Sequence, residues 1–144
     1  MKRTFKAAMA LLLVAATFAG FCVPSAAAEP RLAHCDFATY SFGILSNGEA
    51  HVAVSYSANR ATFTQAKLTV RIERQIGLFI WMLVDLGEDV GDQWISTSTD
   101  YEGDFYGIFT MPQKGTYRAV IKLQCYGTTD VVDTIEETLT DTYE

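Results

Sequence analysis

Polar and apolar residues alternate through most of the chain beyond its first thirty positions. Over 66–76, Leu68, Val70 and Ile72 point one way and Lys67, Thr69, Arg71 and Glu73 the other. That period of two marks a strand with one dry and one wet face. Over 115–126, Tyr117, Ala119, Ile121, Leu123 and Cys125 share a face opposite Arg118, Lys122 and Gln124. The segments 37–45 and 49–58 flank Ser46-Asn47-Gly48. A two-residue Asn-Gly turn would pair Ser46 with Glu49 and scatter the apolar side chains over both faces. A three-residue loop with Gly48 in the left-handed conformation pairs Leu45 with Glu49 instead. It sets Ile44 against Ala50, Phe42 against Val52, Tyr40 against Val54 and Ala38 against Tyr56, so one face becomes continuously apolar. That is the register predicted.

Shorter strands are predicted over 93–99 and 104–111. In 131–143, Val131, Ile135, Leu139 and Tyr143 recur every four residues, which suits a helix as well. The surrounding Thr and Val residues favour an acidic edge strand. About seven to eight short strands with turn signals between them predict an all-β, antiparallel β-sandwich.

One segment breaks the alternation. Residues 78–84 read Leu-Phe-Ile-Trp-Met-Leu-Val. As a strand they would put Phe79, Trp81 and Leu83 on one side and Ile80, Met82 and Val84 on the other. A two-layer sandwich buries only one face of each sheet. Either a loop or the tail covers the second row, or that row is a contact surface for a partner or a second copy.

The first 28 residues follow a different order. Lys2, Arg3 and Lys6 precede an apolar run from Ala7 to Phe21, followed by Pro24 and Ala26-Ala27-Ala28. Basic, apolar, then small residues make a secretory signal peptide cleaved after Ala28. The run is shorter than the roughly 20 residues a bilayer-spanning helix needs, so no membrane anchor is expected after cleavage. Taking 28 residues from 144 leaves a single domain of 116, 29–144, enough for one modest core. The leader carries three of the eleven basic residues and none of the seventeen acidic ones, so the remainder stands at eight against seventeen, a net −9. Such a domain is a poor ligand for nucleic acid or anionic membranes, where Lys and Arg drive binding.

Cys22 leaves with the leader, and the bulky Phe21 before it fits a lipid-anchored cysteine badly. Cys35 and Cys125 remain, and export to an oxidising space predicts a disulfide between them. Cys125 lies on the inward face of its strand. Cys35 is out of phase with the first strand and belongs in the segment leading into it or beside a bulge.

Lys114-Gly115-Thr116-Tyr117-Arg118-Ala119 resembles the G-x-Y start of the penultimate strand in immunoglobulin-like domains, the tyrosine corner, over about a dozen residues. Ala119 stands where the inter-sheet cysteine of antibody domains would be. A Cys35–Cys125 bridge would therefore staple the amino terminus rather than cross-link the sheets. The plan of leader, early Cys, Tyr-rich first strand, Trp-bearing middle, Gly-Thr-Tyr-Arg strand and Thr/Glu-rich tail resembles small secreted proteins of Gram-positive bacteria with no assigned activity. That resemblance implies an immunoglobulin-like fold and no catalytic residue.

Chemistry is sparse. His34 and His51 are the only histidines, and His51 points outward with no evident catalytic partner. No zinc-protease helix motif, phosphate-cradling loop or nucleophile elbow occurs, so an enzyme is not expected, nor a cofactor. Asp85, Glu88, Asp89 and Asp92 cluster in one loop and Asp100, Glu102 and Asp104 in another, weak candidates for calcium, which takes six to eight oxygens. Trp94, Tyr101, Phe105 and Tyr106 flank the same stretch, a composition that sugar-binding sandwiches share with ordinary sandwich ends. The sequence thus predicts a secreted, non-catalytic interaction module for a protein or glycan, with a homodimer as one form of contact. Its candidate surface is Phe79, Trp81, Leu83, Trp94, Tyr101 and Tyr106. The alternatives are a calcium- or glycan-dependent recognition domain and a secreted effector or inhibitor.

Overall fold

The computed structural model describes residues 32–144, so the leader and Cys22 lie outside the described residues. Eight strands follow in order: β1 Cys35–Ile44, β2 Glu49–Ala58, β3 Phe63–Gln75, β4 Trp81–Leu83, β5 Trp94–Ser98, β6 Glu102–Thr110, β7 Gly115–Gly127 and β8 Val132–Tyr143. All pairings are antiparallel. One sheet runs β1-β2-β6. The other has β3-β7-β8 as its body, with β4 and β5 sharing the outer edge of β3 at different heights.

The first hairpin adopts the predicted register. Ile44 faces Ala50, Phe42 faces Val52, Tyr40 faces Val54 and Ala38 faces Tyr56. The turn closes through Leu45 N–H to the Glu49 carbonyl and Gly48 N–H to the Leu45 carbonyl, both 2.9 Å. Gly48 sits at φ 85°, and a Cβ there would meet the Tyr143 ring at 3.1 Å, so both backbone and space call for glycine. The β1–β2 pairing is irregular between Cys35 and Phe37, which lets Cys35 turn inward although it is out of phase with the strand.

Alternation decides what each sheet contributes to the core. Ala50, Val52, Val54 and Tyr56 of β2 meet Ala66, Leu68, Val70 and Ile72 of β3 and Tyr117, Ala119, Ile121, Leu123 and Cys125 of β7, all buried. Phe105 and Phe109 of β6 join them, with Tyr56 stacked on Phe105 at 5.5 Å between centroids. Tyr117 is fully buried, and its hydroxyl donates to the Gln113 carbonyl four residues upstream. The Thr-rich tail is a strand: β8 pairs with β7 along its whole length, and Ile135, Leu139 and Tyr143 lean on the core. A spacing of four keeps residues on one face of a strand as it does on a helix, which is why the sequence pattern was ambiguous there.

The structure corrects the reading of 78–84 as one strand. Residues 76–80 form the tip of the β3–β4 hairpin, and only Trp81–Leu83 pair with β3. The missing alternation is that of a turn running into a very short edge strand, so Phe79 and Ile80 belong to neither row.

Candidate functional site

The hairpin tip is the most unusual surface on the molecule. Ile76 N–H bonds the Ile80 carbonyl at 3.0 Å, and the Gln75 side-chain amide donates to the Leu78 carbonyl at 3.2 Å. The backbone of the turn is thus fixed while its side chains are not covered. Leu78 is 85% exposed, Phe79 90% and Ile80 61%. Three consecutive large apolar side chains exposed to that extent add nothing to folding stability and favour association with whatever can cover them.

Behind the tip, Trp81 is half-buried, and the Arg118 guanidinium lies 4.4 Å from its ring centroid. Arg118 also pairs with Glu73 at 2.6 Å. The Arg74 guanidinium donates to the Lys114 carbonyl at 3.3 Å. Of the sequence-predicted contact residues, Phe79, Trp81 and Leu83 therefore fall on one feature, with Leu83 and its neighbour Met82 both exposed on the edge strand.

The remaining predicted surface residues do not join them. Trp94 packs against Phe109, 5.6 Å between centroids, and belongs to the core periphery. Tyr101 stands under the Arg60 guanidinium at 5.2 Å. Tyr106 is exposed and its hydroxyl bonds His51 Nδ1. On β2 the two tyrosines are tied near Ala58 and Ala53 respectively, a separation of about 17 Å along the strand, so they form no shared platform. The acidic residues are likewise dispersed. Asp85 accepts the Gly87 N–H at 3.0 Å, and the Ser98 hydroxyl accepts the Asp100 N–H at 3.2 Å, as in ordinary turns. Among the described residues no three His, Cys, Asp or Glu side chains gather where they would hold a metal ion.

A buried polar cluster that sequence reasoning missed lies where the chain enters the first sheet. The Asp133 carboxylate accepts the N–H groups of Ala33 (3.0 Å), His34 and Cys35 (2.8 Å). The His34 ring is buried, with Nδ1 3.1 Å from the Thr62 hydroxyl and Nε2 3.0 Å from that of Thr129. A Cβ on Gly127 would lie 2.1 Å from that ring. Burial alone would push the Asp133 carboxyl up; three N–H donors and the nearby His34 outweigh it and hold it below the usual carboxylate value. Nothing local in the sequence marks Asp133, since one Asp in an acidic edge strand reads as solvent-facing.

Cys35 and Cys125 are both buried and both free thiols, not at disulfide distance in this structure. They nonetheless feel each other. A hydrogen bond from the Cys125 S–H favours the Cys35 thiolate and lowers its pKa against the opposing effect of burial, while the same contact and burial raise that of Cys125. Burial raises Tyr40 nearby, and its hydroxyl has no hydrogen-bond partner.

The Asp133 contacts set an acid limit. A carboxyl held below its unfolded value, near 4, adds stability that is fully present above that pH and is lost as pH falls through the folded value. Asp133→Asn keeps the shape but weakens three charge-assisted bonds, and is expected to cost about 2–3 kcal/mol near neutral pH. The difference from the native chain should shrink below about pH 4; urea unfolding at pH 7 and pH 3 reads both effects, and an equal loss at the two pH values would remove the carboxylate from this role.

Compared with known protein families, curated proteins and solved structures, the chain matches none.

Proposed function

We propose that this is a secreted, non-catalytic interaction module of immunoglobulin-like architecture that works through the β3–β4 hairpin. The observation that carries the reading is the exposure of Leu78 and Phe79, 85% and 90%, on a turn whose backbone is hydrogen-bonded in place. Core residues strayed to the surface would be half-covered, whereas these project clear of both sheets. The Tyr117 hydroxyl bonded to a carbonyl four residues back supports the immunoglobulin-like description, because this is the contact of a tyrosine corner. The outer face of β3 and β7 is an open polar cleft lined by Lys67, Arg71, Lys122 and Gln124, with Lys122 paired to Glu136 at 3.4 Å, which suits a solvated face.

Export supplies the second part of the proposal. In an oxidising compartment Cys35 and Cys125 form a disulfide, two thiols giving up two protons and two electrons to an oxidised disulfide of the compartment. Their shared burial supports it, as does their placement: the Cys35 N–H bonds Asp133, the residue opposite Cys125 in the β7–β8 ladder. The bridge would close a loop of about 90 residues, worth about 3–4 kcal/mol on chain-entropy grounds.

Two measurements test these statements. Leu78→Ser with Phe79→Ser should leave the thermal midpoint within about 2 °C, as surface substitutions do, while abolishing retention on a hydrophobic-interaction resin; a large fall in midpoint would make both residues core. For the bridge, the exported chain denatured without reductant should resist alkylation and gain two alkyl groups only after reduction. Two alkylated thiols without reduction would exclude it.

A further inference from the structure

The hairpin's surroundings, ordered by distance from its tip, point to what covers it. No charged residue occurs from Ile76 to Val84. Leu78, Phe79 and Ile80 follow one another around a turn and all three are exposed, so whatever covers the tip must take up three large apolar side chains at once. A shaped protein pocket accepts one or two such groups; fluid hydrocarbon accepts all three. We propose that the β3–β4 hairpin is an insertion loop that seats the domain on the surface of a lipid bilayer. The proposal rests on the contact-surface reading above and names its occupant.

Depth supports the assignment. Phe79 lies two residues beyond the Gln75–Trp81 pair, at most about 7 Å out before its own side chain is counted. Amphipathic elements lying on membranes bury their apolar face by about 5–10 Å. At the base of the tip stands Trp81, a residue suited to the headgroup region because its ring is amphipathic. Arg118 covers that ring, and Arg74 and Lys114 are tied to each other beside it. Two arginines thus lie beside the base of the tip, Arg118 on the Trp81 ring and Arg74 on β3, while the Lys114 ammonium stands over the Tyr143 ring at 5.9 Å; long stems let such side chains reach toward lipid phosphates.

Three carboxylates at this end are engaged, and Glu144 is exposed beyond the Gly115–Tyr143 pair. Glu73 pairs with Arg118, Asp141 accepts the Ile44 N–H at 2.7 Å, and Glu49 faces His51 at 3.7 Å. The acidic loop after β4 is anchored farther back, between Val84 N–H on the Ile72 carbonyl and Trp94 opposite Val70. Among the described residues no helix is long and apolar enough to cross a membrane. The chain beyond the leader carries eight basic and seventeen acidic residues and is repelled by anionic surfaces at a distance. Insertion rather than long-range attraction must therefore drive binding, and neutral phosphatidylcholine should suffice.

The test is co-flotation of the exported chain, its processing confirmed by mass, with phosphatidylcholine vesicles at about 0.1 M and about 0.5 M NaCl, a range over which screening strengthens. The native chain should float at both. Leu78→Ser with Phe79→Ser should lower the partition constant by at least about a hundredfold, the lower end of the worth of two large apolar side chains. A Phe79→Trp variant should shift its emission to the blue on vesicle addition and be quenched by brominated acyl chains. A folded native chain that stays in solution, flotation lost at the higher salt, or equal flotation of native and variant chains would each overturn the proposal. Light scattering separates the two levels. A dimer broken by the double substitution, with no vesicle binding, sinks the lipid assignment and leaves the contact surface standing, whereas unfolding of the double variant removes the contact surface itself.

Discussion

Each sheet in a two-layer sandwich has one face that its partner can dry and one that stays wet, and this constraint organises the whole chain. It is satisfied along β2 and the middles of β3 and β7, where every second residue is buried and the residues between are polar or small apart from Val120. An apolar run without alternation cannot be satisfied by two layers. The fold handles the run from Ile76 to Val84 by making its first half a turn and its second half a three-residue edge strand, then returning Val84 to the core. The surplus hydrophobic surface is thereby concentrated at one point on the molecule rather than spread along an edge, where a flat apolar strand would invite uncontrolled pairing.

That solution requires the rest of the domain to be stable without the tip. The body is secured at both ends of β7. At one end Tyr117 fills the core and is pinned to Gln113; at the other, Gly127 makes room for the His34 ring between Thr62 and Thr129. Asp133 adds a tie from β8 to the residues preceding β1, joining an edge of one sheet to the start of the other. Buried charge-assisted bonds of this sort are costly to leave half made, so they fix where the chain enters the fold. The two thiols lie close to that tie, so a bridge there would reinforce an existing junction.

Much of the architecture was legible because period-two burial is a strong local signal. The first hairpin shows how far it reaches: the demand for one dry face chose between two turn types, and Gly48 and the Ile44–Ala50 register followed. Cys35 was placed beside an irregularity for the same reason, being out of phase with the strand it begins. The tip was legible only as an anomaly. A sequence shows that 78–84 cannot be half-buried, but a turn and a strand buried on both faces share the same composition there. Asp133 and His34 were opaque because their partners are about 100 and about 30–100 positions away, and long-range hydrogen bonds leave no periodicity. Clustering in sequence is also a weak guide to a site: among the described residues the acidic loops bring no three such side chains together where they would hold a metal ion.

The central claim is that Leu78, Phe79 and Ile80 stand outside the core of a stably folded domain. Solvent paramagnetic relaxation of the side-chain methyl groups, with a water-soluble gadolinium chelate added to the folded protein, measures this directly. The account predicts that the Leu78 and Ile80 methyls relax as fast as those of exposed Ile108 and far faster than those of buried Leu68 and Ile121. Rates for Leu78 and Ile80 that match the buried pair would contradict it.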